Sequence, residues 1–103
     1  MFNSNRYITR GISDEVPVEI VLFLWYLIDE LKVTSQGKMD YLQVFELKIQ
    51  DHPYIVENQI VIHRTEEPEY KRGHALLVDE PIATKIYVID SMDYCTMLLA
   101  REY

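Results

Sequence analysis

Ile20-Val21-Leu22-Phe23-Leu24-Trp25-Tyr26-Leu27-Ile28 is an unbroken run of nine apolar or aromatic residues, and its reading decides the fold. The segment before it, Ser13-Asp14-Glu15-Val16-Pro17, has the composition of a helix entry. Proline suits the first helical position, and the acids at 14, 15 and 19 sit where the positive end of a helix dipole favours them. The spacing predicts a helix over 17–32. On a 3.6-residue repeat, Ile20, Val21, Leu24, Leu27, Ile28 and Leu31 form one stripe that can lie on a sheet. Leu22 and Trp25 flank the stripe on one side, Phe23 and Tyr26 on the other. A helix on a sheet needs an apolar stripe only ~100° wide, and this one is apolar nearly all round. Its second face must be covered, by a strongly curled sheet, by the segment 66–81, or by another chain. Asp29 and Glu30 lie at the wrong end for the dipole, with Lys32 alone compensating, so the last turn is expected to fray.

Working outward, Arg6-Tyr7-Ile8-Thr9-Arg10-Gly11-Ile12 reads as a short strand, rich in aromatic and β-branched residues. After the polar link Thr34 to Lys38, residues 40–50 alternate as a strand. Tyr41, Gln43, Phe45, Leu47 and Ile49 point toward the helix, while Leu42 and Val44 share the other face with Asp40, Glu46 and Lys48. Gln59 to Thr65 forms the next strand, antiparallel to its predecessor, with Ile60 and Ile62 expected inward and His63 outward or at the rim. The stretch 66–81 is the least legible; within it Ala75 to Val78 fits a helical turn or a short strand. Ala83 to Asp90 reads as a strand, Asp90-Ser91-Met92-Asp93 as a turn, and Thr96 to Ala100 as a returning strand, with a helix over 92–102 as the competing reading. The expected fold is α+β: one domain over 1–103, with about five mostly antiparallel strands and one main helix, amphipathic to apolar, packed on one face.

A chain of 103 residues with 49% hydrophobic residues, three Gly and four Pro fits a single globular domain and excludes a disordered class. One cysteine, Cys95, allows no intramolecular disulfide, and the first six residues carry no apolar signal core. A cytoplasmic protein is expected. The apolar run stops at Asp29-Glu30, short of the ~20 residues a bilayer span needs, so no membrane is expected. The formal charge of -7 disfavours nucleic acid at long range and suits a soluble, acidic surface.

The candidate chemistry is sparse. His63 with Glu66 and Glu67 offers ligand types for a metal, but strand spacing turns 63 and 66 to opposite faces and no paired-ligand motif accompanies them. Cys95 with His63 or His74 has the residue types of a nucleophile and base, without a glycine-rich oxyanion turn. Asp79-Glu80, Asp90 and Asp93 sit near turns, where aspartate usually bonds its own backbone. Gly11, Gly37 and Gly73 lie too far apart for a phosphate-cradling loop. Arg64, Lys71, Arg72 and His74, with Tyr70 for stacking, form the one local basic group, interleaved with acids at 66, 67 and 69. That group is the alternative ligand site, for nucleic acid or a phosphorylated ligand. No catalytic, cofactor or metal residue is assigned.

Three stretches resemble a known family when taken together: Arg6 to Ile12 with Val16-Pro17 and Leu24-Trp25; Asp40 to Leu47, with Ile62-His63-Arg64 and Pro68 to Lys71; and Thr96 to Ala100 with Glu102-Tyr103. Over nearly the whole chain the sequence is similar to small proteins of unknown function from low-GC Gram-positive bacteria. The resemblance implies a bacterial cytoplasmic protein and carries over no site residue. The reading is therefore a small, acidic, non-enzymatic protein-protein interaction module without a cofactor. A protein partner or a homodimer would meet the outer face of helix 17–32, at Leu22, Phe23, Trp25 and Tyr26.

Overall fold

In the computed structural model, which describes all 103 residues, Pro17 caps the long helix at its N-terminus and the helix itself runs Val18–Thr34. Its last turn is held rather than frayed. Thr34 Oγ1 donates back to the Glu30 carbonyl at 3.1 Å, and the chain reverses through Gly37 at φ +79°, whose N–H reaches the Lys32 carbonyl at 3.0 Å. Glycine at this position satisfies a helix-end carbonyl in a left-handed conformation that side chains disfavour.

The other elements are β1 (Asn5–Ile8), α1 (Arg10–Glu15), α2 (Val18–Thr34, the long helix), β2 (Leu42–Ile49), β3 (Gln59–Thr65), β4 (Tyr70–Leu76), β5 (Thr84–Asp90), β6 (Tyr94–Leu99) and a 3-10 turn, Ala100–Glu102. They build one six-stranded sheet in the order β1-β6-β5-β2-β3-β4. Five strands were expected; β4, hidden in the segment 66–81, is the sixth. The sheet is mixed, because β1 pairs parallel with β6 while every other pair is antiparallel.

The first strand is shorter than its composition suggests. Thr9 Oγ1 accepts the Ile12 N–H at 3.3 Å and so caps α1, and the turn lets Ile12 drop into the core. Residues 92–102 form β6 and a 3-10 turn rather than a helix.

Helix α2 covers one face of the sheet with Ile20, Val21, Leu24, Leu27, Ile28 and Leu31, the stripe that the periodicity marks. They pack on Phe45 and Leu47 of β2, Val61 of β3, Ile86 and Val88 of β5, and Cys95, Met97 and Leu99 of β6. The facing of β3 is the reverse of that expected. Gln59, Val61, His63 and Thr65 point inward, while Ile60 and Ile62 lie on the opposite face. Register explains it: Phe45 stands opposite His63 and Leu47 opposite Val61, so the inward set of β2 selects the odd positions of β3.

Two buried amides fasten the long connections. Gln59 Nε2 donates to the carbonyls of Lys48, Ile60 and Ile82 at 3.0 to 3.1 Å, and its Oε1 accepts the Ile82 N–H. Asn58 makes the same two-way bridge to the main chain of Val78. Segment 77–83 is thereby tied to the start of β3, and it also reaches the helix, where Asp79 N–H donates to Glu19 Oε1 of α2 at 3.3 Å.

Candidate functional site

Helix α2 divides the residues expected to make contact. Trp25 is only 8% exposed. It lies under Arg6, whose guanidinium sits 4.8 Å from the ring centroid while pairing with Asp29. Trp25 is thus a core residue closed over by its own chain, and the expectation of an exposed tryptophan anchor is corrected. Phe23 is half-buried against the edge of the His74 ring at 5.8 Å. Leu22 and Tyr26 remain 63% and 53% exposed, in line with exposed Val18 and Val33. Glu19, Asp29 and Glu30 interrupt that outer stripe.

The alternative ligand residues are divided too. Arg64 and Lys71 stand opposite one another on the face away from α2. Arg64 Nε donates to Glu46 Oε1 at 2.6 Å, and that bond, with the guanidinium charge, holds the Glu46 carboxyl below its usual range. Tyr70, Arg72 and His74 lie on the α2 face, where they meet Phe23 and Tyr26 around a groove of about 220 Å³. The five residues therefore do not form one patch.

His63 is fully buried, between the stacked Phe45 ring at 4.4 Å and the edge of Tyr70. Gln43 Nε2 donates to the Asp40 carbonyl at 2.8 Å, so Gln43 Oε1 is the acceptor for His63 Nε2–H at 2.6 Å. The imidazole is thereby fixed with its proton on Nε2, and its Nδ1 is buried without a partner. Burial, reinforced by the His74 charge, pushes His63 down to about 4. Burial and then the Arg72 charge lower His74 as well. Glu66 and Glu67 do not reach His63; they are exposed in the β3–β4 turn, with their N–H groups donating to Asp40 Oδ2. Burial raises the Asp40 carboxyl, but these bonds and that from Leu42 N–H outweigh it and hold the acid below its usual range.

Cys95 is buried beside Ser4, 3.7 Å from its hydroxyl. It sits on β6, three strands from His63 and four residues along from Leu99, which shares His63's row, a separation of roughly 19 Å at strand spacing. Nucleophile and base are not brought together. Asp90 accepts the N–H groups of Phe2 and Met92, the main-chain role ordinary for a turn aspartate.

The feature that sequence reading passed over is the sheet's second face. Register aligns Leu98, Tyr87, Val44, Arg64 and Lys71 in one row across β6, β5, β2, β3 and β4. Leu42 and Ile89 form the row on one side; Ile62, and beyond it Ile60, lie on the other. None of these apolar side chains belongs to the helix-covered core. Tyr103 stands edge-on to Tyr87 at 5.5 Å at one margin. Next to the Leu42 row, Asp40, Glu66 and Glu67 rim a pocket of about 180 Å³ floored by Leu42 and Val44; at the other end are Lys48 and Lys85. The signal was available: β2 and β3 carry apolar residues at both parities, the mark of a strand covered on two sides.

Fold and surfaces together define a two-layer α+β domain in which one sheet face is covered by helix and the other, free of helix, carries half-buried apolar side chains among charged ones. The chain belongs to the family described as Staphylococcal protein of unknown function (DUF960), whose model matches residues 5–102; this fits the low-GC Gram-positive resemblance in the sequence. A solved structure of a protein of unknown function from Enterococcus faecalis is similar over 98% of this chain and 92% of that one, with a TM-score of 0.76 and 19% identity. At that identity the likeness concerns the fold. No curated protein matches the chain. No helix is long and apolar enough to cross a membrane.

Proposed function

We propose that this chain is a non-catalytic protein-contact module that pairs with a second copy through the bare face of its sheet. The observation that carries the reading is the half-buried field Leu42, Ile60, Ile62, Tyr87, Ile89 and Leu98 around the buried Val44, which lies outside the helix-covered core. Contiguous apolar surface of this kind marks contact sites.

Size allows a small interface. Six strands span about 24 Å across and roughly 20 Å along, about 480 Å² in plan, less than the ~800 Å² each partner contributes to a standard interface. Charge supports the reading. The face is acidic at the Asp40, Glu66 and Glu67 end and carries Lys48 and Lys85 toward the other, with Glu46 opposite Lys85 and paired to Arg64 between them. A two-fold axis in the plane of the sheet and across its strands sets each end against its opposite, which is the self-complementarity an isologous dimer needs. The outer stripe of α2 is the weaker surface for this purpose, since two copies meeting there bring Glu19 and Glu30 together.

Sedimentation velocity tests the reading. Wild type is expected at twice the 12.3 kDa chain mass at high micromolar concentration, Ile62→Asp as a folded monomer, and Leu22→Glu as wild type. A wild-type monomer throughout that range contradicts self-association. Loss of the dimer in Leu22→Glu but not in Ile62→Asp moves the contact to the helix.

A further inference from the structure

The geometry points to a second and separate binding site: the groove between α2 and the free edge of β4, which takes an extended acidic segment of another protein as an added strand. β4 pairs only with β3, so the main-chain groups along its other edge have no partner in the sheet. Such an edge is a template for strand addition, in which the backbone ladder supplies affinity and pockets for alternate side chains supply specificity. Here a pocket stands beside the edge. Phe23, Leu27 and Leu31 from α2 give it an apolar wall, and Tyr70, Arg72 and His74 from β4 give it a polar one.

Charge selects the occupant. The chain carries -7 overall, yet the exposed Arg72 faces this groove without an ion pair, and its neighbour Lys71, on the opposite face of β4, is likewise unpaired and keeps the edge cationic. A planar guanidinium at a groove mouth suits a carboxylate, which it meets with two parallel bonds. Glu30, the groove's one acid, stands on the helix wall, so the strand wall is the side that receives negative charge. A second copy fits this edge badly. Antiparallel pairing of two β4 strands about Gly73 sets Arg72 beside His74 on the α2 face and repeats Lys71 across the seam on the other. Basic residues at a sheet edge act against that pairing and for an anionic strand. Since side chains alternate along a strand, the occupant carries an apolar residue for the pocket and an acid two positions away for Arg72.

The probe is the acetylated, amidated heptapeptide Thr-Glu-Thr-Leu-Thr-Glu-Thr, titrated into the isotope-labelled full chain and followed by amide chemical shifts. Shift changes are expected in β4 and in the Phe23, Leu27 and Leu31 turns of α2. Affinity is expected to fall at least tenfold in Arg72→Glu, with lysine in place of glutamate in the peptide, and with its alternate amides N-methylated. Arg72 is exposed, so its variant reports on binding rather than folding. No shift change at millimolar peptide, changes confined to the bare sheet face, or equal binding by the N-methylated peptide overturns the assignment. The dimer test above is independent of each of these outcomes, because it concerns the opposite surface.

Discussion

His63 donates its Nε2–H to Gln43 Oε1 at 2.6 Å in the fully buried row that α2 covers, so a titratable ring is held neutral where a hydrophobic residue would ordinarily sit. Phe45 stacks on one side and Tyr70 meets it edge-on. The arrangement couples folding to pH in a defined direction.

A histidine ordinarily near 6.5 that is held down to about 4 contributes stability that is complete above pH 6.5. That stability is lost as the pH falls toward 4, because only the unfolded chain takes up the proton in that window. The loss is about 3 kcal/mol at most for His63, and His74, lowered in the same sense, adds to it. Urea midpoints between pH 7 and 4.5 should therefore decline. In His63→Phe the stability at pH 7 should drop by about 1–3 kcal/mol, since Gln43 Oε1 is left unpaired, yet most of the decline with pH should vanish. A slope unchanged in that variant contradicts the assignment.

Gly11 and Glu102 form one unit. A Cβ at Gly11 would stand 2.7 Å from the Glu102 carboxylate, which accepts from Thr9 Oγ1, Gly11 N–H and Leu99 N–H. Gly11→Ala must push that carboxylate aside and so weakens the bonds it accepts. The melting temperature should fall a few degrees in Gly11→Ala and by a similar amount in Glu102→Ala, with little further change in the double variant. Additive shifts in the three proteins would show that the two positions are not coupled.

Trp25 should behave as core. Trp25→Ala is expected to cost about 3–5 kcal/mol in urea denaturation, while Leu22→Glu and Tyr26→Glu stay within about 0.5 kcal/mol of wild type. Near-neutral behaviour of Trp25→Ala would return the ring to the surface.

How much of this was legible depends on where the physics is local. The α2 stripe and the inward set Gln43, Phe45 and Leu47 follow from period alone, and the structure keeps them. The facing of β3 does not, because Ile60 and Ile62 are as apolar as Val61, and only pairing with β2 decides which parity is covered. The same ambiguity hid the bare face, whose apolar residues look like core when each strand is read alone. β4 escaped notice because Lys71-Arg72-Gly73-His74 lacks strand composition; its pairing with β3, not its propensity, makes it a strand. Pairing of β1 with β6 joins residues about ninety positions apart, beyond any local pattern. Trp25 was misplaced because Arg6, nineteen residues earlier on the edge strand β1, closes over it.

The bare sheet face is tested most directly by isotope-filtered nuclear Overhauser spectroscopy on a mixture of labelled and unlabelled chains, which records contacts between copies alone. The account predicts intermolecular cross-peaks to the side chains of Ile62, Tyr87 and Leu98. Their absence in a sample shown to be dimeric, or cross-peaks to Leu22 and Tyr26 in their place, would contradict it.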